Sequence, residues 1–355
     1  MKRKRECTAA LEQTKIELCS DVVSVVMSFL GYRDLFSLSL VNKTWFDMSR
    51  NVDVCIELNG KERICRVFKY QLEFFRVLSS FSNVKSITID FLYGKRFTIS
   101  DTVFKRFIGS LFSKPKARHI SILNHVYSCG VDTSINCSII SDTITSLSIR
   151  GFILGDIFLG AVRRSNIHTL SVIDCEVSSF QPKCFDKVVD LSIGLDDYDM
   201  CLPFHSDFSS LKKIYLLMQD YSFILESFIP RTVEHLVIDV GLSLKYNTNI
   251  IDSIFNSNKN IHTVELINYD KRILNYFKKF SFIDKIILKP HKDLHRNELL
   301  KLKFRRFVVE CSSETKNLST CLKALSEIPY VLSLQHKNTS TNAMKIWEVG
   351  NTKTH

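Results

Sequence analysis

The sequence predicts an α/β chain: a three-helix unit at the N-terminus, followed by a solenoid whose strands line up in one parallel inner sheet. Three observations predict it. Residues 15–50 keep helical periodicity, a six-residue strand motif returns eleven times from residue 84 onward, and only 11 Gly and 6 Pro stand among 355 residues, too few for a turn-dense all-β fold.

In the helical stretch, Leu18, Val22, Val25, Val26, Phe29 and Leu30 recur at three- and four-residue steps, one stripe of an α-helix. Ser20 and Asp21 stand where an N-cap and first turn belong, and Gly31 closes the segment. Arg33 and Asp34 open a second apolar turn through Leu35, Phe36, Leu38 and Leu40, and Asn42 caps a third helix carrying Trp45, Phe46 and Met48. Three helices in so short a span fall below the roughly 40 residues at which a lone core is viable, so a partner surface is implied.

The order of these residues resembles the F-box. The carrying elements are Leu18, the run Val22 to Leu30, Arg33-Asp34-Leu35, Leu38-Ser39-Leu40-Val41, Asn42-Lys43 and Trp45. Cys19 stands where the family has Pro, which removes the fixed backbone angle that favours a helix start. The resemblance implies a Skp-family adaptor as partner, reached through Leu18, Val22, Val26, Phe29, Leu30, Leu35, Leu40, Val41 and Trp45, and through it a cullin and a RING protein.

The strand motif reads apolar-x-x-apolar-x-apolar, from VKSITI at Val84 and ARHISI at Ala117 through VEHLVI at Val233 to PYVLSL at Pro329. Its fourth positions fall at 87, 120, 147, 170, 191, 214, 236, 264, 286, 307 and 332, with most gaps between 21 and 28. That timing resembles leucine-rich repeats, which imply one strand and one return helix per unit, stacked into a horseshoe. Helical returns are expected from Asp101, Gly155, Asn249 and Asn317. The Asn that usually follows the strand is mostly missing: Phe152, Cys175, Asp196, Gln219 and Tyr269 stand five residues past the aligned position, so the turns must satisfy their backbone groups locally.

The expected organisation is a disordered basic tail over 1–14, the F-box over 15–50, a linker and opening half-repeat over 51–83, the repeat solenoid over 84–340 and a C-terminal tail over 341–355.

Composition narrows the function class. The eleven cysteines include no C-x-x-C pair, which excludes a zinc-bound RING and reads as buried thiols in a reducing compartment. No apolar run long enough for a membrane span occurs, and MKRKRE lacks an apolar region behind it, so a cytoplasmic or nuclear address is expected. Nucleophile-elbow, zinc-protease, P-loop and dinucleotide motifs are all missing, and no catalytic residue, cofactor or metal is expected. His119, His235 and His262 read as strand residues, and Asp196, Asp197 and Asp199 as a solvated loop.

Period-two alternation points the residues between the aligned apolar positions at the inner face. Early repeats place Ser86, Thr88, His119, Ser121, Ser146, Ser148, Arg150, Thr169 and Ser171 there; later ones place Lys213, Tyr215, His235, Lys285, Lys289 and Arg306. With a net charge of +11, this face suits a protein substrate that is acidic or phosphorylated, gripped by Arg150 and Arg306. The expected function is the substrate receptor of an SCF-type (cullin-RING) ubiquitin ligase, a non-catalytic subunit. A leucine-rich-repeat scaffold without ligase function and an RNA-binding repeat protein stay open on the residues alone.

Overall fold

A computed structural model describes residues 34, 37, 43, 47, 52–59, 64, 67–91, 101–114, 116–124, 134–177, 185–194, 208–217, 229–239, 248–269, 271–277, 279–280, 283–290, 294–302, 304–311, 317–328, 333–338 and 344–348. Within the N-terminal unit this leaves Asp34, Ser37, Lys43 and Asp47, all helical and exposed.

One sheet of 13 strands runs through the described residues. Its strands are β1 (Val54–Asn59), β2 (Val84–Asp90), β3 (His119–Leu123), β5 (Ser146–Arg150), β7 (Thr169–Ile173), β9 (Asp190–Gly194), β10 (Lys213–Leu217), β11 (His235–Asp239), β12 (Thr263–Ile267), β13 (Lys285–Lys289), β14 (Arg306–Cys311), β15 (Ser333–Asn338) and β16 (Met344–Glu348), in that spatial order. Every pairing is parallel except β15 with β16. Three two-residue strands, β4 (Ser134–Ile135), β6 (Ile153–Leu154) and β8 (Glu176–Val177), form a second small parallel sheet that the sequence did not foretell.

The motif explains the register. Its fourth residues pair across the sheet as Ile87, Ile120, Leu147, Leu170, Leu191, Ile214, Leu236, Val264, Ile286 and Phe307, each at most 1% exposed. The first and sixth motif positions are buried beside them, for example Val84 with Ile89 and Ile261 with Leu266. Helices α1 (Gln71–Ser80), α2 (Asp101–Ser113), α3 (Asp156–Arg164), α4 (Thr248–Ser257), α5 (Lys271–Phe277), α6 (Arg296–Leu299) and α7 (Leu318–Ser326) return the chain. Their apolar sides join the strands in one core cluster extending from Val52 to Leu325. In α3, Asp156 opens the helix and Arg163 and Arg164 close it, as the helix dipole favours.

Phenylalanine fills the space between sheet and helices. Phe107 stands 4.7 Å, centroid to centroid, from Phe68 and within contact of Phe74 and Phe75, while Phe104 and Phe91 continue the cluster to Phe152. A second cluster joins Phe255, Phe277 and Phe280 under α4 and α5.

A run of shared carbonyls ties the repeats at the entrance to each strand. Arg118 O accepts the N–H groups of Thr145 and Ser146, Thr145 O those of His168 and Thr169, and the pattern continues through His168, Val189, Lys212 and Glu234 to His262 O, which takes Asp284 and Lys285. Each turn thus meets the backbone demands of the next without a side-chain ladder.

The boundaries differ from the sequence reading in three places. β1 pairs with β2 over its whole length, so the expected half-repeat is a full strand of the sheet. β16 lies in residues read as a tail, and its antiparallel return covers the edge that β15 would otherwise expose. In the last repeat Leu334, not Leu332, sits opposite Phe307; a two-residue slip keeps the same face, so apolar pattern alone does not separate the two. Among the described residues no helix is long and apolar enough to cross a membrane.

Candidate functional site

The face of the sheet turned away from the helices holds every inner-face residue named from the sequence. Three rows run across the strands. The first contains Ser86, His119, Ser146, Thr169, Asp190, Lys213, His235, Thr263, Lys285 and Arg306; the second, Thr88, Ser121, Ser148, Ser171, Ser192, Tyr215, Val237 and Glu265; the third, Arg150, Asp239, Lys289 and Glu310 among others.

The rows divide the face into two halves. From β2 to β9 the side chains are mostly small hydroxyls, and His119 Nδ1 lies 2.8 Å from Ser146 Oγ. Burial lowers the His119 pKa, which favours the neutral ring. From β10 to β14 long charged side chains stand in the first and third rows, while the second row is largely apolar through Val237, Ile287 and Val308, all buried.

Each basic side chain of the charged half except Lys285 faces a carboxylate. Lys213 Nζ is 3.9 Å from Asp190, His235 Nε2 3.4 Å from Glu265, and Arg306 Nε 3.6 Å from Asp284, while Lys289 bridges Glu265 and Glu310. Lys285 makes no ion pair among the described residues. Tyr215 donates its hydroxyl to Asp239 at 2.6 Å, and Asn268 Nδ2 holds the other oxygen of that carboxylate at 3.0 Å. Burial and this bond to Asp239 push the Tyr215 pKa up. Within the hydroxyl half, Arg150 Nε on β5 donates to Asp174 Oδ2 at 2.6 Å.

Burial alone would raise the Glu265 carboxyl. The approach of the His235 ring and the bond from Lys289, with the charges of Lys289 and Lys213, outweigh it and hold the pKa at about 2. Burial likewise lowers the Lys289 pKa, and Glu265 and Glu310 more than restore it, so the net shift is upward. The charged half is therefore a set of internal pairs and not a free cationic surface.

Sequence reasoning passed over Asp190, Ser192, Asp239, Glu265 and Glu310. The same alternation that marks Lys213 also points these five at the face, so the signal was present. Asp174 and Asn268 carried a different signal: they stand just past their strands at φ 51°, as Gly151 stands past β5 at φ 73°, in left-handed turn positions that Asp, Asn and Gly tolerate. At the turn after β7, Cys175 Sγ lies 3.5 Å from Ile149 O and 3.3 Å from Ile173 O, in the place of the missing Asn.

Beside this face, Lys212, Arg231, Thr232, Glu234, Asn260 and His262 line a shallow cleft of about 570 Å³ at the strand entrances. Two of these lining residues, Lys212 and Glu234, are paired, and this bond holds the exposed Glu234 carboxyl below its usual range.

Residues 16–57 match the F-box domain family. The chain carries a segment similar to the F-box, followed by a repeating parallel sheet with return helices. The match ends inside β1, beyond the boundary at 50 expected from the residues. Leu18, Val22, Val26, Phe29, Leu30, Leu35, Leu40, Val41 and Trp45 all fall within it and lie outside the described residues; so do Asp196, Asp197 and Asp199 lie outside them. No curated protein matches the chain. Among solved structures, the leucine-rich repeat-containing protein LegL7 of Legionella pneumophila aligns at a TM-score of 0.37 and 14% identity, over 89% of this chain and 84% of that one.

Proposed function

We propose that the chain is the substrate-recognition subunit of an SCF-type ubiquitin ligase, its F-box docking on a Skp-family adaptor and its open sheet face holding the protein to be ubiquitinated. The F-box match at residues 16–57, set directly before the repeat sheet, carries this reading. F-box domains generally bind Skp-family adaptors, and F-box proteins are generally non-catalytic. A fully buried aliphatic side chain contributes roughly 1.5–3 kcal/mol before association costs, so a few of the apolar residues named above support stable docking. Acceleration would then come from holding substrate near a conjugating enzyme, not from a reacting group on this chain.

Co-purification of the full chain tests the proposal. Adaptor and cullin are expected to be recovered with the native chain and lost with the double variant Trp45→Ala, Leu30→Asp, while the repeats keep their melting behaviour. Adaptor recovery undiminished by that variant would overturn the assignment.

A further inference from the structure

At the strand entrances the residues Val189, Lys212, Glu234, His262 and Asp284 follow one another across the sheet, linked by the shared carbonyls. The cleft of about 570 Å³ lies at the middle of this row. Its acid is taken: Lys212 bonds one oxygen of Glu234, and His262 Nε2 stands 3.8 Å from the other. Two other lining groups are not. Arg231 is exposed, and its guanidinium enters no ion pair or hydrogen bond among the described residues. Thr232 Oγ1 is buried and has no hydrogen-bond partner. A buried hydroxyl left unpaired costs stability, so the cleft lacks an acceptor.

The turn that carries these two groups is fixed before anything binds. Asn258, only 1% exposed, donates its Nδ2 to Pro230 O at 2.7 Å and accepts the N–H of Asn260 on its Oδ1 at 3.0 Å. Asn260 Nδ2 donates in turn to Arg231 O at 2.6 Å, and the N–H of Val233 closes the turn on Pro230 O. The entry turn of one repeat is thus held by the entry turn of the next. Little backbone ordering remains to oppose a ligand.

Charge and boundaries name the occupant. Lys212 and Arg231 against Glu234 leave one permanent positive charge, which one carboxylate balances, whereas a phosphate monoester brings about two negative charges beside Glu234. A guanidinium and a hydroxyl both donate, and the two carboxylate oxygens accept. The cationic stretch of the row is bounded by Val189, 38% exposed, and by the acid Asp284, so a nucleic-acid strand finds no run of cations for its phosphates. No Phe, Tyr or Trp lines the cleft, which removes the stacking surface that bases and sugars use. At longer range the net charge of +11 draws an acidic partner. We propose that this cleft seats a single Asp or Glu carboxylate of a partner protein, held by Arg231 and Thr232, with an apolar residue of the same segment against Val189. Val189 lies two strands from the turn before β11, about 10 Å, or about three residues of extended chain. The site deepens the receptor reading above and rests on it only for the fate of the bound protein.

The test uses the full chain and an unphosphorylated library of random twelve-residue peptides displayed on phage. The expected consensus is an Asp or Glu with an apolar residue about three positions away. A synthetic copy is expected to bind at least tenfold more weakly to Arg231→Glu, several-fold more weakly to Thr232→Val, and within twofold of native to Lys285→Glu. Arg231→Glu leaves the Asn260 bond in place, because that bond ends on the backbone carbonyl. Thr232→Val removes an unpaired hydroxyl and should melt no lower than native, which separates lost binding from lost fold. Affinity unchanged in Arg231→Glu, binding that depends on Lys285, no enrichment at all, or a phosphoserine copy that binds more than threefold tighter than the acidic one would each overturn the inference. So would a single-stranded RNA whose binding is lost with Arg231→Glu. Adaptor co-purification from the same samples reads the ligase assignment separately, so one can fail while the other stands.

Discussion

Lys289 on β13 bonds Glu265 on β12, one strand over, and the same ammonium reaches Glu310 on β14 at 3.3 Å, so one cation staples three neighbouring strands. Glu265 is 6% exposed and could not stay ionised there without Lys289 and His235. Its pKa falls from 4.5 in the unfolded chain to about 2 in the fold. A folded value below the unfolded one means that the stabilisation is fully present above the unfolded value and drains away as pH falls toward the folded one.

The first prediction follows from that sign. Melting temperature is expected to drop as pH falls from about 5 toward 3. Each tenfold change in the acidity of a group is worth about 1.4 kcal/mol, so this carboxyl carries up to about 3 kcal/mol of pH-dependent stability. Glu265→Gln should melt lower than the native chain at pH 7 and show a flatter acid limb. An acid limb as steep in the variant as in the native chain would assign the effect to other carboxylates.

The aromatic cluster of the first repeats gives a second expectation. Phe107 is fully buried and touches Phe68, Phe74 and Phe75 from α2. Phe107→Ala is expected to cost about 3–5 kcal/mol. Repeat arrays are stabilised largely by neighbour contacts, so the loss should appear as early unfolding of the repeats around residues 67–113. Hydrogen exchange resolved by peptide would locate it; uniform loss along the array would contradict neighbour-limited coupling.

Much of this architecture is legible in the sequence because its repeat is written in buried positions. Ile87, Ile120, Leu147 and their counterparts must face the core, and period two then places Ser148 or Lys285 on the other side. Charge pairing is harder to read, because Lys289 meets Glu265 and Glu310 only after a whole repeat has intervened on each side, and nothing local in the sequence fixes which carboxylate it faces. Lys213, Lys289 and Arg306, read from the sequence as basic inner-face residues, stand opposite Asp190, Glu265 and Asp284. The turns hid their solution one residue earlier than the usual Asn position, at Asn124, Gly151, Asp174 and Asn268.

Gly151 provides the third prediction. Its φ of 73° lies in the left-handed region, and a Cβ there would stand 2.0 Å from the carbonyl oxygen of Asn124. That contact is with backbone, and the peptide of Asn124 is itself fixed: its N–H donates to Arg150 O and its side chain to Gly151 O. Gly151→Ala is expected to cost more than about 2 kcal/mol, the sum of left-handed strain and displaced backbone. Chemical denaturation would read it, and a cost below about 1 kcal/mol would show that the turn yields easily.

Cysteine labelling supplies the fourth. Cys175 is 4% exposed, and burial pushes its thiol up to about 12 despite the N–H groups of Phe152 and Gly151 that favour the thiolate. Since the thiolate is the reactive species, the native thiol is both shielded and protonated at neutral pH. Cys55, on β1, is exposed. Treatment of the folded chain with iodoacetamide at about pH 7.5, followed by peptide mass spectrometry, should modify Cys55 while leaving Cys175 intact, and guanidinium should bring Cys175 up to the rate of Cys55. Cys175→Ser should leave the turn formed, because a hydroxyl can still bond Ile149 O or Ile173 O, whereas Cys175→Val removes the donor and should cost about 1–3 kcal/mol. Equal stability of the serine and valine variants would show that the thiol serves there by its bulk, with no part in holding the turn's carbonyls.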